Sequence, residues 1–435
     1  MNQILEKIGK IADSEKVEVY AVGGFARDFL LNRKTKDIDF VVVGKGIKFA
    51  KKVAKILGKK KVVTYERFET AMFVYKNLNL EFVSARSEIY DENSRKPKVE
   101  RANLKSDQLR RDFTINALAF GLNKENFGKL YDPFEGEIDL NNKIIRTPLD
   151  PEITFSEDPL RILRAIRFAS QLNFKIEAKT FEAATKMRER LKIISQERIT
   201  DEFTKILNSP KPSIGLKLLE ETGILKMILP EIFVWNENEL LFEFVDEVST
   251  KSQKTELRFA SLLYKTNWEN PTHLESNSRK VAYSTKLSKI CKRFKLPINF
   301  GQETESLTSL LPLTLKVFEL DFEGKFNLEK QRRYLKIVGD FFDEVWFLGR
   351  ILQKIMKLDF QTQTAFKRLK NLDQKENLTD FNLALDGLEI IKISQIGQGP
   401  EIGKIKNSLE EAVLKGIVKN ENKPLEQYLL TLLKS

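Results

Sequence analysis

Two aspartates that could take part in catalysis, Asp37 and Asp39, stand directly before the apolar run FVVV. A single residue, Ile38, separates them. Because side chains alternate along a strand, both carboxylates are expected on one face of it. Their repulsion is costly unless a cation lies between them, so the pair predicts a Mg²⁺ site. Two metal ions there could activate a hydroxyl and neutralise a departing pyrophosphate. The alternative is a pair of solvent-facing carboxylates at the start of a strand.

A glycine pair and a third acidic residue extend this pattern. Gly23 and Gly24 separate an apolar strand from a helical segment that contains Arg27. Glycine allows close approach of a ligand, and a helix N-terminus offers free N–H groups to phosphate, although a tight turn is the alternative. Glu81, in LNLEFVSAR, lies on a strand that could pair beside the aspartate strand and add a carboxylate. Otherwise it is a surface residue of an edge strand.

Composition excludes several other kinds of site. His273 is the only histidine and Cys291 the only cysteine, so Ser-His-Asp triads, multi-histidine metal clusters, internal disulfides and CxxC sites are not expected. Catalysis should therefore depend on carboxylates, arginines and lysines. The net charge of +12 favours a polyanionic partner such as nucleic acid. Basic faces exposed only to solvent are the alternative explanation.

The elements that must position these residues follow from periodicity. The first 145 residues alternate strand-like runs, KVEVYAV and DIDFVVV, with helical segments such as IKFAKKVAKILG. ETAMFVY and LNLEFVSAR, separated by Lys76 and Asn77, predict a hairpin. Residues 87–107 lack periodicity and predict a long loop, followed by a helix at DFTINALAF. After IIRTPLDP the pattern becomes helical almost to the end.

The chain is therefore expected to have an α+β head with a small mixed sheet, followed by an all-α neck, body and tail. A length of 435 residues favours about three domains. The lack of a long apolar run and the charged start, together with the single cysteine, favour a cytoplasmic protein.

Six segments in fixed order carry a family resemblance. They are VGGFARDFLL, KDIDFVV, LRRDFTINALAF, YDPFEGEIDL, FSEDPLRILRAIRFASQLNF and SQERITDEFTKIL, and the similarity continues through GLKLLEETGILKMILPEI. Together they resemble the class II tRNA nucleotidyltransferase and bacterial poly(A) polymerase family over about the first 230 residues. FETAMFVY, EFVSAR, the SRKP segment and IRTPLDP are more similar to the CCA-adding branch.

The resemblance implies roles for matching residues. Asp37 and Asp39 would bind two Mg²⁺ ions, and Gly24 with Arg27 would hold the nucleoside triphosphate. In RRDFTIN, Arg110 and Arg111 would contact phosphate or ribose, Asp112 would orient them and Asn116 would touch the sugar. Arginine suits these roles because its planar guanidinium binds phosphate in a bidentate way.

The EDPLR segment, Glu157 to Arg161, is expected to open a helix with Asp158 and Arg161 on one face. Such a face could match the Watson–Crick edges of cytosine and adenine and leave unpaired groups against guanine and uracil. Arg164 and Arg167 continue the row and could reach the triphosphate. The alternative is that Glu157 and Asp158 stabilise the positive end of the helix dipole and form ion pairs with Arg161.

These implications predict addition of CCA to tRNA 3′ ends from CTP and ATP. Poly(A) addition, CC-only or A-only addition and non-catalytic RNA binding are the alternatives.

The chain is expected to divide into four regions. They are a catalytic head at 1–145, a neck for base selection and RNA binding at 146–234, a degenerate HD-like helical region at 235–300 and a tail at 301–435 that binds the acceptor and T arm of tRNA. Tyr264 and Lys265 stand where HD relatives have their His-Asp pair.

Overall fold

The chain folds into two compact units, residues 1–227 and 228–435. The computed structural model describes residues 2–91, 94–101, 103–235, 238–267, 274 and 285–434. His273 lies outside these residues, as do residues 268–272 and 275–284 of the HD-like region. The predicted combination of a β-containing head and an all-α remainder is confirmed, because the large mixed sheet belongs to unit 1 and the described elements of unit 2 are helical.

The strands are concentrated in the first 131 residues. They are β1 Glu18–Val22, β2 Asp37–Val43, β3 Val63–Tyr65, β4 Thr70–Tyr75, β5 Leu78–Ser84, β6 Arg86–Asp91, β7 Ser94–Arg101, β8 Ala119–Gly121 and β9 Leu130–Tyr131, followed by the short pair β10 Ile144–Ile145 and β11 Lys175–Ile176. Seven of them form one sheet in the order β3-β4-β5-β2-β1-β8-β9. The β2–β5 pair is parallel and the other neighbours are antiparallel, so the sheet is mixed.

The helices of the first unit pack on both faces of this sheet and build the segment that follows it. They are α1 Asn2–Glu15, α2 Gly24–Leu30, α3 Gly46–Ile56, α4 Leu104–Leu109, α5 Gly136–Asn142, α6 Pro151–Glu157, α7 Leu160–Leu172, α8 Ala178–Lys186, α9 Gln196–Leu207, α10 Pro212–Glu221 and α11 Ile224–Ile228. The start of α6 illustrates the local chemistry, since Asp150 accepts a hydrogen bond from the Glu152 N–H at 2.9 Å and Pro151 occupies the first turn.

The two faces of the sheet have different neighbours. Ile38, Phe40 and Val42 of β2 pack in a core with Phe49 and Val53 of α3. Because side chains alternate across a strand, Asp37 and Asp39 project from the opposite face. The catalytic candidates therefore lie on the face turned away from α3.

Two expectations for the sheet region are wrong. Much of the segment 87–107 forms the antiparallel hairpin β6–β7, because its backbone groups pair across strands although its side chains lack alternating hydrophobicity. The run DFTINALAF contains a short 3₁₀ turn, Thr114–Asn116, and then strand β8, since pairing with β1 overrides its helical spacing.

The second unit is built from helices around its own aromatic core. They are α12 Asn238–Lys251, α13 Thr255–Leu263, α14 Thr285–Arg293, α15 Ile298–Phe322, α16 Leu328–Val338, α17 Phe342–Ile355, α18 Thr362–Glu376, α19 Gly387–Ser394, α20 Pro400–Leu414 and α21 Asn422–Leu432. Trp346 lies edge-on to Phe318 with ring centroids 4.7 Å apart, and both are buried. Within the described ranges, no helix combines the length and apolar character needed to cross a membrane.

Candidate nucleotidyl-transfer site

The strand that carries Asp37 and Asp39, β2, pairs with the neighbouring strand β5. Parallel pairing places Asn79 beside Asp37 and Glu81 beside Asp39. The Asn79 amide donates to Asp37 Oδ1 at 2.6 Å, which orients that carboxylate. The expectation that the Glu81 strand pairs beside the aspartate strand is confirmed, and all three acidic side chains share one sheet face. Whether Glu81 takes part in metal binding stays a prediction.

Asp39 lies in surroundings that favour a bound cation. Burial raises the pKa of its carboxyl, the nearby Arg111 guanidinium lowers it and Asp37 raises it, so that the pKa lies above its usual range. A divalent ion would stabilise the charged form that burial and Asp37 disfavour. Among the residues that the structure describes, no group of three or more His, Cys, Asp or Glu side chains forms a metal cage. Two carboxylates suit Mg²⁺, which keeps water and substrate phosphate as its other ligands.

Gly23 makes room for this arrangement. Its φ of 67° is readily adopted by glycine. A Cβ at this position would lie 2.7 Å from Arg111 Nη1 and 3.7 Å from Asp39 Oδ2. The glycine therefore lets a guanidinium and a carboxylate approach each other at the end of β1, where Gly24 then begins α2.

Asp107 positions the two consecutive arginines, and sequence reasoning missed it. Its side chain is fully buried and accepts hydrogen bonds from Arg110 Nε at 3.0 Å and Arg111 Nη2 at 3.0 Å. Burial would raise the pKa of the Asp107 carboxyl, but Arg111 and Arg110 outweigh it and hold the pKa below its usual range. The available signal was an acidic residue three and four positions before the arginine pair, one helical turn away.

Asp112 joins the head to α7 through a buried chain of hydrogen bonds. It accepts from Asn116 Nδ2 at 3.0 Å and from Arg164 Nε at 2.7 Å. Asn116 Oδ1 in turn accepts from Arg27 Nη1 at 2.7 Å. Burial would raise the pKa of the Asp112 carboxyl, but Arg164 and the Asn116 amide lower it to about 2. Four predicted nucleotide-binding residues are thus connected side chain to side chain.

Three predicted phosphate-binding arginines surround one aromatic ring. The guanidinium carbons of Arg27, Arg164 and Arg167 lie 5.2, 5.5 and 4.3 Å from the centre of Phe168. Arg167 also lies 3.0 Å from Glu202 Oε2, as an ion pair without hydrogen-bond geometry. The side chain of Arg164 is 34% exposed, against 10% for Arg27 and 11% for Arg167. Arg164 is therefore the most accessible of the three cations.

The predicted base-selecting residues do not lie on one helix. Glu157 is the last residue of α6, Asp158 has an extended backbone and α7 begins at Leu160. The expectation of a single helix through this segment is wrong, because Pro159 disfavours a helical backbone at the residue before it. Asp158 Oδ1 accepts from the Leu160 N–H at 3.1 Å, and its Oδ2 lies 3.5 Å from Arg198 Nη2.

Arg161 is held by three acceptors. Its Nη1 donates to Glu157 Oε2 at 2.8 Å and to the carbonyl of Thr154 at 3.2 Å, while its Nη2 donates to the carbonyl of Arg110 at 2.7 Å. The last bond connects this junction to the arginine pair held by Asp107. The contact of Asp158 with the Leu160 N–H and the ion pair of Arg161 with Glu157 agree with the alternative in which these residues stabilise the start of α7. Base selection by these residues stays a prediction.

The pKa of Asp112 predicts acid-sensitive stability. Its folded-state pKa of about 2 lies below the usual value of roughly 3.9, so its contribution is complete above about pH 4 and is lost as the pH falls toward 2. We expect Asp112→Asn to lower the free energy of unfolding of the first unit by about 2 to 3 kcal/mol at pH 7. The measurement is denaturant unfolding of both proteins from pH 7 to pH 3.

The difference between wild type and Asp112→Asn should shrink as the pH falls. Asp201→Asn is the matched control, because Asp201 forms an exposed pair with Lys205 and should change stability little. A stability difference that is constant between pH 7 and pH 3 would contradict the proposed ion pair with Arg164.

Comparison with known proteins places this geometry in context. Residues 19–146 match the family described as "Poly A polymerase head domain", and residues 173–235 match "Probable RNA and SrmB- binding site of polymerase A". The first match contains the carboxylates and the arginine pair. The second covers α8 to α11, which follow α7.

Two similar proteins match different lengths of this chain. An A-adding tRNA nucleotidyltransferase of Aquifex aeolicus is 42% identical over 227 residues, which cover 52% of this chain and 27% of that protein. This chain spans between about a quarter and a half of the length of the A-adding relatives it matches. A CCA-adding enzyme of Pediococcus pentosaceus is 31% identical over 422 residues, 96% of this chain and 94% of that protein.

A solved structure is also similar over most of the chain. It is a tRNA nucleotidyltransferase complexed with a primer tRNA and an incoming ATP analogue, 28% identical, with a TM-score of 0.62 over 85% of this chain and 99% of the other. The similarity therefore extends across nearly the whole length of that protein.

Proposed function

This chain belongs to the family of CCA-adding enzymes, and on that premise we propose that it adds CCA to tRNA 3′ ends from CTP and ATP. The observation that carries the proposal is the pair Asp37 and Asp39, with Glu81 in register and Arg111 beside Asp39. Such a concentration of acidic side chains around a half-buried arginine is costly in a protein that only binds RNA.

The reaction joins a tRNA 3′-hydroxyl to the α-phosphate of a nucleotide, and pyrophosphate leaves. Asp37 and Asp39 would hold two Mg²⁺ ions, which neutralise developing charge and assist loss of the hydroxyl proton when bound. Glu81 would add a third carboxylate. Arg27, Arg164 and Arg167 would hold the triphosphate, since guanidinium groups fit phosphate in a bidentate way.

The buried hydrogen-bond chain would keep these arginines in place. Asp112 fixes Arg164, and Asn116 fixes Arg27 and would lie near the ribose. Asp107 fixes Arg110 and Arg111 for phosphate or ribose contact. Preorganised cations stabilise transition-state charge without reorganising during the reaction.

Base selection would depend on the junction between α6 and α7. Asp158 would accept a hydrogen bond from the exocyclic amine of cytosine or adenine, and Arg161 would donate to a ring acceptor. Glu157 would position Arg161, with which it already forms an ion pair. Because uracil and guanine present carbonyl oxygens where cytosine and adenine present amines, they would face a repelling carboxylate.

The helical parts would serve binding and support. We assign residues 1–145 to catalysis, 146–234 to base selection and RNA binding, and 301–435 to the acceptor and T arm of tRNA. The region 235–300 would be a helical scaffold without hydrolase chemistry. In support, Tyr264 is 1% exposed and packs edge-on against Phe244 with ring centroids 5.6 Å apart, as a core residue does.

A-only addition is the second candidate, because the A-adding relatives have the higher identity. Full CCA addition is favoured because the CCA-adding relative matches over 96% of this chain, whereas the A-adding relative matches over 52%. The similarity to the CCA-adding relative includes the helical part of the chain after the head. That part would hold the substrate tRNA during successive additions.

The function can be tested with tRNA transcripts that end before, within or after CCA. Each transcript is incubated with the protein, Mg²⁺ and one nucleotide at a time, and the products are sequenced. We expect two additions from CTP on the shortest transcript, one from ATP on the transcript ending in CC, and none on complete tRNA. Addition of ATP alone would indicate an A-adding enzyme, long adenosine tails a poly(A) polymerase, and binding without extension a non-catalytic protein.

A further inference from the structure

A dense basic surface lies around α3. Residues 45–61 contain eight lysines and no acidic residue, so this segment carries +8 of the formal net charge of +12. All eight side chains belong to exposed residues. We call this group the α3 lysine surface: Lys45, Lys48, Lys51, Lys52, Lys55, Lys59, Lys60 and Lys61.

The charges of the α3 lysine surface are poorly compensated within the protein. In the described part of the chain, Lys52 with Glu15 Oε1 at 3.0 Å is its only ion pair, and Lys59 lies 5.9 Å from the Tyr75 ring centre. Unit 2 contains several cations with acidic partners, as in the pairs Arg332–Glu376, Arg333–Glu411, Lys336–Glu410 and Lys370–Asp343. The surface around α3 is therefore suited to an external polyanion.

This surface is separated from the candidate catalytic site. The apolar side of α3, including Phe49 and Val53, packs on the sheet face formed by Ile38 and Phe40. Its lysines point away from that contact, whereas Asp39 projects from the other face of the sheet. An RNA end held at the carboxylates would have the sheet between itself and the lysines.

The composition of the surface favours RNA over other polyanions. A helix that binds a membrane surface inserts an apolar face, but the apolar face of α3 is buried in the core. Lysine is also depleted from the centres of protein interfaces. Lysines bind phosphates as flexible point charges and read no base sequence, which suits the backbone of an RNA.

We propose that the α3 lysine surface binds the phosphate backbone of a second RNA molecule while a first RNA occupies the face of Asp37 and Asp39. Only the identity of the first RNA as tRNA rests on the proposed function. The second binding would depend steeply on salt and not on sequence, because it arises from release of counterions.

The test compares wild type with the variant Lys48→Gln, Lys51→Gln, Lys52→Gln and Lys55→Gln. The matched control replaces four exposed lysines of the region 235–300, which is assigned no binding role, namely Lys251, Lys289, Lys292 and Lys295. Stoichiometry is measured by sedimentation with a fluorescent tRNA transcript at low salt. We expect two RNAs per chain for wild type and control and one for the α3 variant.

A second readout is the salt dependence of the weaker binding step in wild type and in a variant lacking only two of the lysines. The magnitude of the slope of log affinity against log salt should decrease by about 1.4 to 1.8 for two lost phosphate contacts. Extension of a short acceptor minihelix should be unchanged in the four-lysine variant. If no protein extends the minihelix, the proposed function fails while the stoichiometry still decides this proposal.

Three results would overturn the proposal. The first is one RNA per chain for wild type, and the second is two for the α3 variant. The third is a raised KM of the α3 variant for the minihelix, which would mean that the lysines hold the RNA being extended.

Discussion

Replacing Asp37 or Asp39 with alanine is expected to reduce nucleotide addition by roughly 10³-fold or more, because metal ions supply several kcal/mol of transition-state stabilisation. Affinity for tRNA should stay within a few-fold, since contacts of basic residues with phosphates dominate RNA binding. The measurements are single-turnover incorporation of CTP into a tRNA transcript and gel-shift binding of the same RNA.

Two further variants test whether the effect of Asp39→Ala is specific to carboxylates at the metal site. Glu66→Gln removes an exposed carboxylate from the same unit and should leave the incorporation rate unchanged. Glu81→Gln should reduce the rate if Glu81 reaches the metals, because its strand lies in register with Asp39. An Asp39→Ala protein that extends tRNA at nearly the wild-type rate would refute the metal assignment.

Asp158→Ala is expected to change base choice more than overall chemistry. Loss of a charge-assisted hydrogen bond to the exocyclic amine costs about 1.5 to 3 kcal/mol, or roughly ten- to a hundred-fold, for CTP and ATP. UTP and GTP would no longer face the repelling carboxylate, so discrimination should decrease. The measurement is single-nucleotide incorporation of all four nucleotides on one tRNA transcript.

Asp158→Asn separates base selection from helix capping. Asparagine keeps an oxygen that can accept from the Leu160 N–H, but it replaces the other carboxylate oxygen with a donor. We therefore expect Asp158→Asn to keep the fold of the α6–α7 junction and to favour UTP and GTP more than Asp158→Ala does. If Asp158→Ala slows all four nucleotides equally and Asp158→Asn behaves like the wild type, Asp158 only caps α7 and bases are selected elsewhere.

The sequence was sufficient for features that depend on local patterns. The one-residue spacing of Asp37 and Asp39 places both on one face of any strand, whatever the rest of the sheet does. The alternation around Lys76 and Asn77 predicted the β4–β5 hairpin, and helical spacing predicted α3 and α7. These predictions hold because neighbours within a few residues determine which face each side chain occupies.

Tertiary structure decided the features that depend on distant partners. The placement of Glu81 beside Asp39 needs the parallel pairing of β2 with β5, and the hairpin β6–β7 needs hydrogen bonds between strands that show no hydrophobic alternation. Asp107 gains its role only because folding removes it from water and leaves Arg110 and Arg111 to stabilise its charge. Burial and pairing between strands are properties of the whole chain in three dimensions, so no local period of residues could reveal them.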